Sequence, residues 1–176
     1  MGAGKTTIGR QLARIRNLSF LDSDQEIEHK TGVTIPLIFE LEGEEGFRNR
    51  ETSVIEEITQ GDNKVIATGG GAVLSEKNRK LLATRGIVIY LRATAEELLE
   101  RTKHDKNRPL LNTEDPLAKL KHLESVRNPL YEGIADITID TGKRNLHYLV
   151  QQIDQSVDAY ITKYFQDKIS DANINS

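Results

Sequence analysis

The run Gly2-Ala3-Gly4-Lys5-Thr6-Thr7 carries the residue types of a phosphate-binding loop. In the pattern G-x-x-x-x-G-K-[ST], glycines let successive backbone N–H groups curl around phosphates. The lysine reaches the β- and γ-phosphates, and the Ser/Thr hydroxyl ligates Mg²⁺. Gly4, Lys5 and Thr6 supply the closing residues of that pattern. Its first glycine would fall before Met1, as would the apolar strand that feeds such a loop. The expectation is therefore that Met1 lies inside a longer reading frame. The plainer alternative is a glycine-rich start to an ordinary helix. A helical pattern that begins at the Lys-Thr pair favours the phosphate loop. The chemistry implied is nucleotide-dependent phosphoryl transfer.

Three further groups of residues have types suited to the same chemistry. Asp22-Ser23-Asp24 follows the short apolar run Leu18-Ser19-Phe20-Leu21. In open α/β sheets, ligands collect at the carboxyl ends of strands. Two alternate carboxylates in an extended turn can serve different partners, and Mg²⁺ takes one or two carboxylates alongside phosphate oxygens and water. An N-cap for a helix starting near Gln25 is the competing reading. Gly69-Gly70-Gly71 follows a second strand-like run, Lys64–Thr68, and exposes backbone N–H groups to a ligand; a flexible connector is the lesser alternative. Three arginines complete the set: Arg48 after Gly46-Phe47, Arg108 before Pro109, and Arg127 before Asn128-Pro129-Leu130-Tyr131. Guanidinium groups bind carboxylate and phosphate bidentately, although any single arginine is by default a solvated surface charge.

These residues need elements to position them. Helical spacing of Ile8, Leu12 and Ile15 predicts a helix over 6–16. Polar helical stretches follow from Gln25 to about Arg50, with breaks at Gly32 and between Gly43 and Gly46. Helix continues over 51–59, with Val54, Ile55 and Ile58 on one face. Gly86–Leu91 is the most apolar run and reads as a buried parallel strand. Thr94-Ala95-Glu96-Glu97 has the form of a capping box. The segment 103–115 is polar and reads as a mobile loop. Ile137–Asp140 is the last strand, and a long amphipathic helix runs from Leu146 past Tyr164 before a frayed tail. Strands alternating with helices predict a parallel sheet covered on both faces. Four strands are legible.

Bulk properties narrow the class. The chain has 176 residues, enough for one domain with a sizeable core, and is 37% hydrophobic and 29% charged. Its net charge of −3 gives no general reason to expect nucleic acid or membrane as a partner. The absence of cysteine excludes disulfides and thiolate metal sites, and the four histidines are scattered. No apolar run approaches the ~20 residues of a membrane span, and a cytoplasmic location is expected.

Taken in order, Gly-Ala-Gly-Lys-Thr-Thr-Ile-Gly-Arg (2–10), Leu-Asp-Ser-Asp (21–24), Gly-Phe-Arg (46–48), Thr-Gly-Gly-Gly-Ala-Val (68–73), Asn-Arg-Pro-Leu-Leu (107–111) and Arg-Asn-Pro-Leu-Tyr (127–131) resemble the shikimate kinase family. Each segment is common by itself; all of them in order and at family spacing are highly specific. The resemblance covers the chain to about Ile161. It implies a P-loop, nucleoside-monophosphate-kinase-like three-layer α/β fold with a five-stranded parallel sheet. It implies one domain over 1–165, with a substrate-binding segment at about 25–60, a lid at about 103–115 and a flexible tail over 166–176. It also implies transfer of the ATP γ-phosphoryl group to the 3-hydroxyl of shikimate, in the route to chorismate and the aromatic amino acids. A monomer with ATP and shikimate as its small-molecule partners is expected.

Residue by residue, the resemblance implies that Gly2, Ala3, Gly4, Lys5, Thr6 and Thr7 cradle the ATP phosphates. Thr6 and Asp22 would hold Mg²⁺, Asp22 through the metal's waters. Asp24 would bind the shikimate hydroxyls and orient or deprotonate the attacking one. Arg48 and Arg127 would clamp the shikimate carboxylate, with backbone help from Gly70 and Gly71. Arg108 would contact the transferring phosphate from the lid. Arg101 and Arg144 match the family's adenine-side positions. Another small-metabolite kinase of the gluconate kinase type, or a non-catalytic relative, is the competing reading.

Overall fold

The computed structural model describes residues 2–102, 115–142 and 144–174. Its first helix, α1 (Lys5–Ile15), starts where the sequence predicts, and the cap explains why. Gly4 sits at φ 83°, ψ 17°, a left-handed conformation that lets the loop turn sharply into the helix. The first-turn N–H groups of α1 then point back towards the glycine loop.

Strand β1 (Ser19–Asp22) leads into α2 (Ser23–Thr31), and the N-cap of α2 is Asp22, whose carboxylate accepts from Asp24 N–H. Both sequence readings of this turn are therefore met: it caps a helix, and it leaves the Asp24 side chain for another task. Gly32, at φ 71°, ends α2. Helix α3 (Ile35–Ile58) begins with Pro36 in its first turn and contains one non-helical residue, Gly43, at φ 70°, ψ −173°. That pair of angles is open to glycine alone, so the break expected between Gly43 and Gly46 falls at Gly43, and Gly46 lies inside regular helix.

Strand β2 (Lys64–Ala67) pairs with β1 in parallel, from Ser19 opposite Lys64 to Asp22 opposite Ala67. A short 3₁₀ turn (Ala72–Leu74) and α4 (Glu76–Arg85) follow, α4 capped by the Ser75 hydroxyl accepting from Asn78 N–H. Strand β3 (Ile89–Arg92) pairs in parallel with β4 (Ile137–Asp140), Ile89 opposite Ile137. Between them lie α5 (Ala95–Thr102) and α6 (Pro116–Glu132), and α7 (Leu146–Ile174) closes the chain. The capping box expected at α5 is present in reciprocal form. Glu97 N–H donates to Thr94 Oγ1 at 3.2 Å, and Thr94 N–H donates to Glu97 Oε2 at 3.0 Å.

Several expectations need correction. Among the described residues the four strands form two separate parallel pairs, β1-β2 and β3-β4, rather than one continuous sheet. An apolar cavity lies between the pairs, lined by Thr68 and Gly70 just past β2 and by Ile89, Tyr90 and Leu91 of β3. No described strand offers backbone partners to both. For the same reason β3 is half-buried rather than buried, and it starts at Ile89 rather than Gly86. Residues before it are held differently: Val88 N–H donates to the Asp136 carboxylate at 2.7 Å. Helices α4 and α6 are absent from the sequence reading, because neither has a clean apolar stripe and α6 contains Pro129. Helix α7 continues to Ile174, past the start expected for the tail; Ile161, Phe165 and Ile169 extend its spacing of i, i+4.

Two apolar clusters hold these elements. In one, Ile8 and Leu12 of α1 and Ile139 of β4 pack against Leu149, Val150, Ile153 and Val157 of α7. Each such side chain contributes ~1.5–3 kcal/mol on burial. The Arg16 guanidinium reinforces that seam, bonding Asp154 Oδ1 at 2.6 Å and Asp158 Oδ1 at 2.7 Å. In the other cluster, Ile27 of α2 packs on Ile38, Phe47, Val54 and Ile58 of α3 over Leu21 and Ile66 of the β1-β2 pair. The second cluster places α3, and hence Arg48, against the carboxyl ends of β1 and β2. No described helix is long and apolar enough to cross a membrane.

Candidate active site

The carboxyl end of β1 and the glycine turn after β2 are joined by one buried bond. Gly69 N–H donates to Ser23 Oγ at 2.9 Å, and Ser23 is fully buried. This brings Asp22, Asp24 and Gly69–Gly71 to one edge, beside the start of α1. Thr6 Oγ1 donates to Asp22 Oδ2 at 2.7 Å. The other oxygen of Asp22 caps α2 at 3.1 Å from Asp24 N. A threonine hydroxyl and a carboxylate thus stand together at the N-terminus of α1, where unpaired backbone N–H groups favour anions.

This pair suits a hard divalent cation that completes its shell with phosphate oxygens and water. Among the described residues no group of three His, Cys, Asp or Glu side chains forms a closed protein cage for a metal. The donor chemistry therefore fits Mg²⁺ arriving with a nucleotide.

Two residues on, the Asp24 carboxyl is buried and its Oδ1 has no hydrogen-bond partner. Its pKa is raised, first by burial and then by the charge of Asp22; the Lys5 and Arg48 charges oppose this. Glu51 of α3 is 1% exposed, and its Oε1 likewise has no partner. Both unpartnered oxygens converge on Gly69: a Cβ there would stand 2.7 Å from Asp24 Oδ1 and 2.7 Å from Glu51 Oε1. Glycine is required at this position because two carboxylates already occupy the space of a side chain.

Arg48 is held from one side. Its Nη1 donates to Glu51 Oε2 at 2.7 Å, its Nη2 to Glu44 Oε1 at 3.1 Å, and its guanidinium lies 5.1 Å from the Phe47 ring centroid. The guanidinium passes so close to Gly71 that a Cβ there would collide with it. Burial pushes the Glu51 carboxyl up, and the hydrogen bond from Arg48 works against that shift. Arg127 of α6 approaches the same turn from the other side. Its Nη1 donates to the Gly70 carbonyl at 2.9 Å, and its Nε is buried without a partner. The Tyr131 hydroxyl donates to the same carbonyl at 2.5 Å.

The sequence-predicted residues Asp24, Arg48, Gly70, Gly71 and Arg127 are therefore brought together. The Gly70 carbonyl is taken by Arg127 and Tyr131, so this part of its backbone holds an arginine. Glu51 and Tyr131 were not singled out by sequence reasoning. Glu51 sits three residues after Arg48, a helical ion-pair spacing that carries the signal weakly.

Just before α1, Gly2, at φ 70°, packs where a Cβ would meet Thr102 Cγ2 of α5 at 3.0 Å. Arg101 of α5 reaches the loop after β4: its Nη1 donates to Thr141 Oγ1 at 3.0 Å and its Nη2 to the Gly142 carbonyl. Arg144 bonds Gln152 at 2.7 Å and lies 5.3 Å from the Tyr148 ring centroid. Arg108 and the lid expected over 103–115 lie outside the described residues, except for Asp115, which caps α6.

The family model described as "Shikimate kinase" matches residues 1–170. A shikimate kinase from Chromobacterium violaceum is 58% identical over 160 residues, covering 90% of this chain and 87% of the relative. Among solved structures, a shikimate kinase from Acinetobacter baumannii in complex with shikimate superposes with a TM-score of 0.87 at 53% identity. The match covers 90% of this chain and 89% of that one. A shikimate kinase from Bacteroides thetaiotaomicron, at 29% identity, gives a TM-score of 0.83 over 90% and 94% of the two chains.

Proposed function

The chain belongs to the shikimate kinase family, and from that premise we propose how its site divides the work of moving the ATP γ-phosphoryl group to the 3-hydroxyl of shikimate. Phosphoryl transfer calls for positioning and charge neutralisation rather than covalent help. The N–H groups from Gly2 to Thr7 receive the triphosphate at the α1 N-terminus, and Lys5 neutralises the β/γ end. Thr6 and Asp22 would hold Mg²⁺, which would supply neutralisation of phosphate charge. Arg101 and Arg144 flank the adenine side. Arg108 meets the transferring group from a lid formed by residues 103–115.

The acceptor is held on the opposite side. Arg48 and Arg127 clamp the shikimate carboxylate between α3 and α6. Segment 25–60 contributes Arg48 and the Glu51 that holds it. Asp24 takes the acceptor hydroxyls: its buried, unpartnered Oδ1 accepts the hydrogen bond of the 3-hydroxyl and orients that oxygen towards the γ-phosphate. The raised pKa of Asp24 strengthens it as a base for that proton.

The observation that carries this reading is the convergence on one glycine turn of two arginines and an unpartnered carboxyl, with an unpartnered Nε–H on Arg127. Buried polar atoms without partners are rare in folded proteins and call for a ligand. A small acid bearing hydroxyls supplies what each lacks. An acceptor of the gluconate type is the competing substrate. An ADP-release assay with shikimate, quinate and gluconate tests the reading. Turnover with shikimate well above the other two is expected; equal or greater turnover with gluconate would overturn it.

A further inference from the structure

We propose that Tyr131 is a positioning residue for the acceptor site, acting through the Gly70 carbonyl to set which edge of the Arg127 guanidinium faces the substrate. The inference rests on the reading of Arg127 as a carboxylate clamp. Arg127 and Tyr131 are four residues apart on α6, so they share one face of the helix. Both donate to the same acceptor: Tyr131 Oη to Gly70 O at 2.5 Å, and Arg127 Nη1 to Gly70 O at 2.9 Å.

A carbonyl oxygen has two lone pairs. With the phenol on one, Arg127 has room for a single bond there, and Nη1 makes it. The Nε–H and Nη2 edge is then left to a ligand, and Nε is buried without a partner. That edge is one of the planar forks that match a carboxylate bidentately. Tyr131 itself has little freedom. Its ring stacks on Tyr90 of β3 with centroids 4.8 Å apart and planes at 22°. The Tyr90 hydroxyl donates to Asn128 Oδ1 at 2.8 Å and takes no part in the Gly70 contact. The aromatic pair thus anchors the phenol to the β3-β4 half of the molecule, while Gly70 belongs to the β1-β2 half. Losing the phenol proton would free one lone pair of Gly70 and let the guanidinium rotate away from its fork geometry.

The test is Tyr131→Phe, which keeps the ring and its stack and removes the hydroxyl, measured beside Arg127→Ala and Tyr90→Phe. A neutral hydrogen bond is worth ~0.5–1.5 kcal/mol, or about two- to twelve-fold in affinity. Tyr131→Phe is expected to raise the KM for shikimate by that factor, with kcat and the KM for ATP little changed. Tyr90→Phe is expected to leave all three unchanged. A shikimate KM unaltered in Tyr131→Phe, while Arg127→Ala raises it, would overturn the role of Tyr131 and leave the clamp standing. An unaltered KM in Arg127→Ala would overturn the clamp and with it this inference. An equal fall in kcat/KM for both substrates would also overturn it, as the mark of general loosening. Thermal transitions check folding. Should Tyr131→Phe not fold, 3-fluorotyrosine at position 131 keeps ring and hydroxyl while altering donor strength. Its shikimate KM is then expected to shift, and no shift would overturn the proposal.

Discussion

The two ends of the site are built in different ways. On the proposed acceptor side, charged groups are packed together and partly taken out of water: Glu51 is 1% exposed, the half-buried Asp24 has one oxygen shut off from solvent, and two glycines exist because side chains of other residues fill their space. On the proposed nucleotide side, the candidate holding groups are backbone N–H donors at the α1 N-terminus and two exposed arginines, Arg101 bonded to the loop after β4 and Arg144 to Gln152 of α7. The acceptor side is pre-shaped by side chains that pay a desolvation cost. The nucleotide side is shaped by chain geometry and surface charge. A site of the first kind is sensitive to single side-chain changes; one of the second kind tolerates them except where charge must be neutralised.

Six substitutions test this contrast. The largest effect is expected for groups that act on the transition state. Asp24→Asn and Lys5→Ala should lower kcat by about 10²–10³-fold, the scale for removing one preorganised electrostatic group, with smaller changes in substrate KM. Steady-state kinetics with both substrates varied would check it; a main effect on KM would mean that these residues bind rather than act.

Next come the arginines. Arg127→Ala and Arg48→Ala should each raise the shikimate KM by roughly ten- to a hundred-fold, from ~1.5–3 kcal/mol per charge-assisted contact. They should differ in stability. Arg48→Ala leaves the buried Glu51 carboxylate without its counter-charge and should also lower the thermal midpoint, whereas Arg127→Ala should not. Equal thermal midpoints for the two variants would contradict the packing of Arg48 on Glu51.

Glu51→Gln sharpens the comparison further. It keeps the shape, removes a charge held up in pKa by burial, and weakens the grip on Arg48. A severalfold rise in shikimate KM is expected with stability unchanged or slightly higher, since the desolvation cost goes with the charge. A loss of stability above about 2 kcal/mol would show that the ion pair is needed for folding. The smallest effect is expected at Arg101, where Ala should raise the KM for ATP by less than about fivefold, as for an exposed contact. An effect as large as that at Arg127 would erase the distinction between the two ends.

Much of this arrangement is legible along the chain. The phosphate loop, the aspartates after β1 and the glycine turn are legible from residue type and spacing, because each is tied to a local feature: a helix start, a strand end or a turn; Arg48 and Arg127 stand out only through the family resemblance, since by spacing alone each reads as a surface charge. Glu51 escapes because its importance lies in having no water around it, and burial inside α3 follows from packing on α2 and β2 rather than from its neighbours in sequence. Tyr131 escapes because its partner is a carbonyl 61 residues away.

Local chemistry thus determined the reaction class. Glycine conformations, helix caps and strand–helix alternation are set by interactions within a few residues, and they suffice to place a phosphate loop and a carboxylate at neighbouring element ends. Tertiary structure decided the rest. It set the two parallel pairs with a cavity between them, the meeting of α3 and α6 across one glycine turn, and the burial that leaves Asp24, Glu51 and Arg127 with unpartnered atoms. The physical reason is range. Hydrogen bonding and backbone sterics are read residue by residue, whereas desolvation depends on every element packed around a group, and that packing exists only once the chain has folded.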